Sequence, residues 1–284
     1  MADQVTEDPN TVLYLYGVTE EGALLGKMGG VDGSSPIETV PCASLIAWVS
    51  RVSRKEFADN LSANMENLDW LAEASVQHQR VVSAIAQRTD MLPARFATVF
   101  LTAASLAADV RSKKRILEKD LRRIHGCDEF GVKIFRAAPK LDLPLVTAAS
   151  GRDYLQAKAA WLERRGIKRK VSGSGFQKFS SELQAVAVAA AQAGKISGGQ
   201  KGLEWQISLL VRRTERKNFD RLLRKYSKQW AGEHHIECTG PWPAYSFVTR
   251  AHPRDHRYPA RSSSRREPMV KKKGISAGRK IGEA

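Results

Sequence analysis

The apolar positions along the chain change period several times, and each change marks an element. Val12-Leu-Tyr-Leu-Tyr-Gly-Val18 is a run of β-branched and aromatic residues, which predicts a buried first strand. The glycines and Asp32 of Gly29-Gly-Val-Asp-Gly33 predict a loop. Residues 37–40 and 45–52 predict two further strands, with Pro41 weakening the joint between them. The period then lengthens. Ser53 and Glu56 have the spacing of a capping box. Asp69 is placed to cap a second helix, on which Leu71, Ala74, His78, Val81, Val82 and Ile85 share one face. His78 on that apolar face reads as a packed, hydrogen-bonded histidine rather than a ligand. Residues 95–100 predict a strand after Pro93. Thr102 is a cap for a long helix over 103–125, which Gly126 stops.

The second half mixes the two periods again. Phe130, Val132 and Ile134 alternate with polar or small residues and predict a strand. Ser150 is placed to cap a helix carrying Tyr154, Trp161 and Leu162. Residues 164–175 are basic and glycine-rich and predict a mobile loop, after which a helix resumes near Ser181 and ends before Gly194. Residues 195–202 predict a second loop. Leu203, Trp205, Ile207, Leu209 and Val211 form the clearest alternation in the chain, and Phe219, Leu222, Leu223, Tyr226 and Trp230 recur at helical spacing. Cys238-Thr-Gly-Pro-Trp-Pro-Ala-Tyr-Ser-Phe-Val248 follows. Pro241 and Pro243 restrict the backbone on both sides of Trp242, while Gly240 is free of such restraint. A stiff entry is therefore expected. It would deliver Tyr245, Phe247 and Val248 into a short final strand, which suits either the closing of a C-terminal core or the docking of a partner; its place after the Phe219–Trp230 helix favours core closure.

No internal repeat appears. The mixture of strands and helices predicts an α+β protein of two domains. The expected division is a disordered stretch 1–10, an N-terminal α+β domain 11–110, a basic connecting helix 111–126, a C-terminal domain 127–250 and a disordered basic tail 251–284. A length of 284 residues suits two cores. No apolar run approaches the ~18 residues that span a bilayer, and the acidic first residues lack the basic and apolar regions of a secretory signal. A cytoplasmic protein without membrane contact is expected.

Charge sharpens the picture. The net charge is +16, yet residues 1–110 hold 7 Lys/Arg against 14 Asp/Glu while residues 111–284 hold 39 against 16. An acidic front and a basic back point to partners or solubility rather than to fold. On the long helix Arg111, Lys113, Lys114, Arg115, Arg122 and Arg123 gather away from the apolar positions. They are candidate partner contacts, or simply a solvated face. Residues 251–284 hold 10 basic against 3 acidic residues and almost nothing apolar.

Candidate chemistry is sparse. Gly22-Ala-Leu-Leu-Gly-Lys-Met28 imitates a phosphate loop but lacks one spacer residue and the hydroxyl that would hold Mg²⁺. Neither a dinucleotide fingerprint nor a nucleophile elbow is present. His234 and His235 are adjacent, so in a strand they point to opposite faces and cannot easily share an ion. Cys42, Cys127 and Cys238 are too far apart to suggest a disulfide framework or a zinc site. No acid–base pair stands out, so no enzyme, cofactor or metal is expected. Glu129–Phe135 has aromatics but not the order of an RNA-reading strand. The alternative of a basic α+β nucleic-acid-binding adaptor therefore rests on nonspecific phosphate attraction alone.

Several ordered segments together resemble the gas vesicle accessory family GvpL/GvpF. They are Tyr14-Leu-Tyr-Gly-Val18, Gly30-Val-Asp-Gly33, Trp70-Leu71 with His78, Leu92-Pro-Ala-Arg-Phe-Ala-Thr-Val-Phe100, Gly151-Arg-Asp-Tyr-Leu155 and Thr239–Val248. Pro93, Arg95 and Phe96 belong to the second most specific of these. Gly240, Pro241, Trp242, Pro243, Tyr245 and Phe247 belong to the most specific. Ala97 stands where the family pattern usually has glycine, and Ala244 where it has a further proline; both changes are expected to relax the local backbone restraint. The resemblance implies a C-terminal domain with a modified ferredoxin-like fold. It also implies a non-enzymatic role in gas vesicle formation, with the small hydrophobic shell protein GvpA and other accessory proteins as partners and the gas vesicle as a location.

Overall fold

β1 (Thr11–Thr19) is buried along almost its entire length and organises the N-terminal half. Its alternating side chains feed two different cores, as the period of a strand requires. Val12, Tyr14 and Tyr16 point into one, and Leu13, Leu15 and Val18 into the other, with a bulge between Leu15 and Gly17. Around β1 stand β2 (Glu38–Cys42), β3 (Leu45–Ser53), β4 (Met91–Pro93) and β5 (Val99–Phe100), all antiparallel, in the order β2-β3-β1-β4 with β5 also on β1. These facts come from a computed structural model, which describes residues 8–137, 152–153, 155–156, 173–192 and 200–249.

A π-helical turn (Lys55–Asp59), α1 (Leu61–Glu66) and α2 (Leu68–Ala86) follow β3. α2 buries Ala74, His78, Val81, Val82 and Ile85 against the Tyr14 face of the sheet. Its cap is Asn67, whose side chain accepts from the backbone N–H groups of Asp69 and Trp70. Asp69 thus lies in the first turn rather than at the cap, where its charge still suits the helix dipole. α3 (Ala103–Ile124) covers the opposite face with Leu106, Val110, Leu121 and Ile124. Thr102 and Ser105 form a reciprocal capping box at its start, and Gly126 turns the chain at its end with a φ of 65°. Only Val99–Phe100 of the strand expected over 95–100 pairs, because residues 94–98 turn back toward β1.

The second sheet contains β6 (Cys127–Arg136), β7 (Ala187–Ala191), β8 (Leu203–Arg212) and β9 (His234–Trp242) in the antiparallel order β7-β8-β6-β9. With α4 (Gly173–Val186) before β7 and α5 (Arg216–Gln229) before β9, the described elements run in the split βαβ sequence β-α-β-β-α-β. Phe130, Val132, Ile134, Leu209 and Val211 pack against Phe179, Leu183, Phe219 and Tyr226 from these helices. The other face of this sheet sends Leu210, Ala189 and Ala191 into the α3 core, so one apolar cluster joins the two sheets. The architecture is α+β with two antiparallel sheets.

Three local expectations are corrected. Residues 173–175 begin α4 instead of ending a loop. That helix stops at Val186, and the alanine run becomes β7 because pairing with β8 outweighs the helix preference of alanine. Tyr245–Phe247 form a 3₁₀ turn, not a strand. The expected helix over Tyr154, Trp161 and Leu162, most of the basic loop from 164 and the tail from 251 lie outside the described residues.

Candidate functional site

The motif segments converge on a seam where the chain after β9 returns to the first sheet. Gly240 has a φ of 122°, which L side chains rarely adopt, and a Cβ there would stand 2.7 Å from the carbonyl oxygen of Glu129. Glycine is therefore required both by conformation and by the close passage of β6. The Gly240–Pro241 peptide is cis. Trp242 ends β9 opposite Glu129, and the residue remains 45% exposed. Core closure therefore falls to its neighbours: Ala244 and Phe247 are buried in the core while Trp242 stays exposed. Ala244 has φ −74° and ψ 51° while the N–H of Tyr245 donates to the carbonyl of Pro243 at 2.7 Å, the geometry of an inverse γ-turn. That turn carries Ala244 and Phe247 into the α3 core and Tyr245 to the opposite side of the first sheet, beside α2.

Buried polar groups fasten this return in three places. Glu129, 6% exposed, accepts from the backbone N–H of Ser246 at 2.9 Å and from its hydroxyl at 2.6 Å. Asp120, 1% exposed, accepts from Thr249 N–H at 2.5 Å, from Thr249 Oγ1 at 2.8 Å and from Arg123 at 2.8 Å. Arg123 also donates to the Phe247 carbonyl. The third fastening is a proton-ordered chain. Ala97 N–H donates to the Tyr14 hydroxyl (3.0 Å), which lies 3.0 Å from His78 Nδ1. His78 Nε2 lies 3.2 Å from the Tyr245 hydroxyl, which donates to Gln79 Oε1 at 3.3 Å. One assignment satisfies every group: Tyr14 donates to Nδ1, and Nε2–H donates to Tyr245. Histidine is then neutral. Burial agrees, since it lowers the His78 pKa to about 4, and it raises the pKa of Tyr14 and Tyr245 well above the usual phenol range.

His78 is further enclosed by Phe96 at a centroid distance of 5.7 Å and by Tyr14 at the same distance. Tyr16 completes the cluster. Its hydroxyl donates to Ser50 at 3.0 Å and accepts from Val31 N–H at 2.8 Å, and burial pushes its pKa up to about 12. Pro93 is buried on β4 opposite Gly17, whereas Arg95 is exposed in the turn that follows. The seam thus brings together Pro93, Phe96, Gly240, Pro243, Tyr245 and Phe247, while Arg95, Pro241 and Trp242 face outward. Glu129, Asp120 and Ser246 escaped the sequence reading because nothing in local spacing marks a carboxylate that will be buried.

The basic helix divides by environment. Lys113 pairs with Asp109 at 2.6 Å and Lys114 with Glu118 at 3.5 Å. Arg123 belongs to the seam. Arg111, Arg115 and Arg122 are exposed and, among the described residues, form no ion pair. Three cysteines are free, two buried and Cys238 exposed. Among the described residues no group of three His, Cys, Asp or Glu is placed to hold a metal ion, and no helix is long and apolar enough to cross a membrane. A shallow hollow of about 520 Å³ lies over the loop from Leu25 to Ile37, with Lys27 as its one charged lining residue. On β6, Phe130 lies 5.2 Å from Phe219 beneath α5, so that aromatic is not offered to nucleobases.

A seam of this kind, in which the motif residues fasten the chain after β9 to the first sheet, belongs to an α+β protein of two antiparallel sheets. Residues 12–249 match the family model of the gas vesicle synthesis protein GvpL/GvpF, and the chain belongs to that family. It is 30% identical over 255 residues to gas vesicle protein L of Streptomyces sp. (strain CB03234), an alignment covering 83% of this chain and 92% of that one. It is 25% identical over 236 residues to gas vesicle protein F of Haloferax mediterranei, again over 83% and 92%. The fold is similar to the crystal structure of GvpF from Anabaena sp. PCC7120, with a TM-score of 0.60 at 16% identity over 87% of this chain and 99% of that one. GvpF from Microcystis aeruginosa gives a TM-score of 0.59 at 18% identity over 84% and 99%.

Proposed function

We propose that this protein is a non-enzymatic accessory of gas vesicle formation that binds the small hydrophobic shell protein, GvpA, together with other accessory proteins. By binding it limits the aggregation of that subunit before it reaches the growing wall. The observation that carries the reading is the family match over residues 12–249. Family membership supports the accessory role; the shell-protein contact is the further step. Its physical basis is simple. A small, very apolar subunit aggregates unless a soluble carrier covers its surface or pairs with its strand edge. β7 offers such an edge: Ala187–Ala191 carries no charge, pairs among the described residues with β8 alone, and leaves Val188 38% exposed. The protein would act in the cytoplasm and at the vesicle. The test is co-expression with the shell subunit followed by pull-down at low and high salt. Retention at either salt supports the reading; no retained subunit at both overturns it. A Val188→Lys variant should lower retention if β7 is the docking edge.

A further inference from the structure

The two helices that sandwich the first sheet each leave a stripe uncovered, and the stripes are complementary. On α2, Leu68, Ala72 and Val76 fall at intervals of four and share one face. Leu68 is 78% and Val76 66% exposed, unusual values for large apolar side chains on a helix packed against a sheet. Glu66, Asp69 and Glu73 are exposed beside them, and no Lys or Arg occurs between Lys55 and Arg80. On α3, Ala104, Ala108, Arg111, Arg115, Lys119 and Arg122 are all exposed and recur at intervals of three or four, and Ile116 beside them is 40% exposed. At 1.5 Å per residue the exposed apolar stripe from Leu68 to Val76 runs roughly 12 Å along α2, and the basic part of the other, Arg111 to Arg122, roughly 16 Å along α3.

These stripes cannot meet within one copy. α2 packs against the Tyr14 face of the sheet and α3 against the Leu13 face, so the sheet stands between them. We propose that they meet between copies: the acidic, apolar face of α1–α2 on one chain docks onto the basic face of α3 on the next. The occupant of each stripe is thus a second copy of this chain. Opposite charge sets the register, and Leu68, Val76 and Ile116 supply the apolar contact. Because two different surfaces meet, the contact is heterologous. Each copy keeps one free face of each sign, and association continues into a ring or an open row instead of stopping at a pair. This is independent of shell-protein binding, which the β7 edge would serve.

The test is the molar mass of the full chain by light scattering against concentration and salt. At low salt the mass should rise with concentration beyond that of a dimer, and high salt should return it to a single chain. A monomer at every concentration, a closed dimer, or assembly that salt strengthens would overturn the proposal. Charge reversal gives the second arm. Glu66→Lys with Asp69→Lys and Glu73→Lys should weaken association by at least about tenfold, as should Arg111→Glu with Arg115→Glu and Arg122→Glu. Arg123 is left intact because the seam uses it, and unchanged circular-dichroism melts would show that both variants fold. Mixing the two variants restores opposite charges at every junction and should restore association. Failure of the mixture to assemble, with both variants folded, would overturn the pairing of these two faces.

Discussion

Ala97 carries a side chain at a φ of 63°, where glycine is at no disadvantage and other residues are strained. Alanine at this φ tightens the backbone restraint, contrary to the expectation that it relaxes it. Ala97→Gly should raise stability by about 1 kcal/mol in a denaturant titration; a loss would show that the Tyr14 hydroxyl, which holds the Ala97 N–H, depends on that methyl group. Ala244 is the opposite case. Its φ of −74° already suits proline, so Ala244→Pro should add roughly 0.5 kcal/mol by restricting the unfolded chain. Trp242→Ala should cost under about 1 kcal/mol because nearly half of the residue is in water, whereas Gly240→Ala should cost about 2 kcal/mol or more through its strained φ and the close Glu129 carbonyl. Equal melting temperatures for the two variants would contradict this ranking. His78 sets a pH dependence. Its folded pKa, near 4, lies below the ~6.5 of an unfolded histidine. The unfolded chain therefore binds the proton first as pH falls, and stability present above pH ~6.5 is lost progressively down to about pH 4, by up to roughly 3 kcal/mol. Replacing His78 by Gln should flatten that window; an unchanged profile would assign the acid sensitivity elsewhere.

Among the elements, those with a strong period were legible and those decided by distant contacts were not. Residues 11–19, 45–53, 68–86, 103–124, 127–136 and 203–212 announced themselves because their burial follows their own apolar spacing. β7 did not, since five residues rich in alanine carry a helix preference and only pairing with β8 makes them a strand. The return after β9 was half legible: the prolines and glycine predicted its stiffness, but its destination is a histidine 167 positions away, a relation no local pattern encodes. The element acts through that contact. Phe247→Ala should destabilise by about 3 kcal/mol, since the ring is buried in the cluster that joins the sheets. Tyr245→Phe should cost about 1–2 kcal/mol by leaving His78 Nε2 without its acceptor. If Phe247→Ala left the melting temperature in place, the return segment would be an attachment and not a fastener.

For the molecule as a whole, the domain boundaries read from the sequence at 110, 126 and 250 stand as a proposal about folding units, and the shared cluster bears on how they unfold. Leu13, Leu106, Leu210 and Phe247 lie in one core though they come from both halves of the chain. Thermal unfolding followed by tryptophan fluorescence and by circular dichroism should therefore show one coincident transition; two separated transitions would show halves that melt independently. The charge polarity seen in the sequence also belongs to this scale. It becomes interpretable once α2 and α3 are placed on opposite faces of one sheet, since only then do acidic and basic stripes point in different directions.

The return segment has a consequence for the order in which the protein is made. A ribosome releases β1, α2 and the pocket around His78 early, yet Tyr245, which closes that pocket, and Phe247 and Thr249, which fasten the opposite face, emerge only after both sheets have been synthesised. Through most of translation the first sheet waits with its tyrosine–histidine cleft open and part of its second core uncovered. Such a nascent chain is a natural client for chaperones. A message broken just after codon 242 would yield a product that has every described strand and still lacks the segment that fastens them.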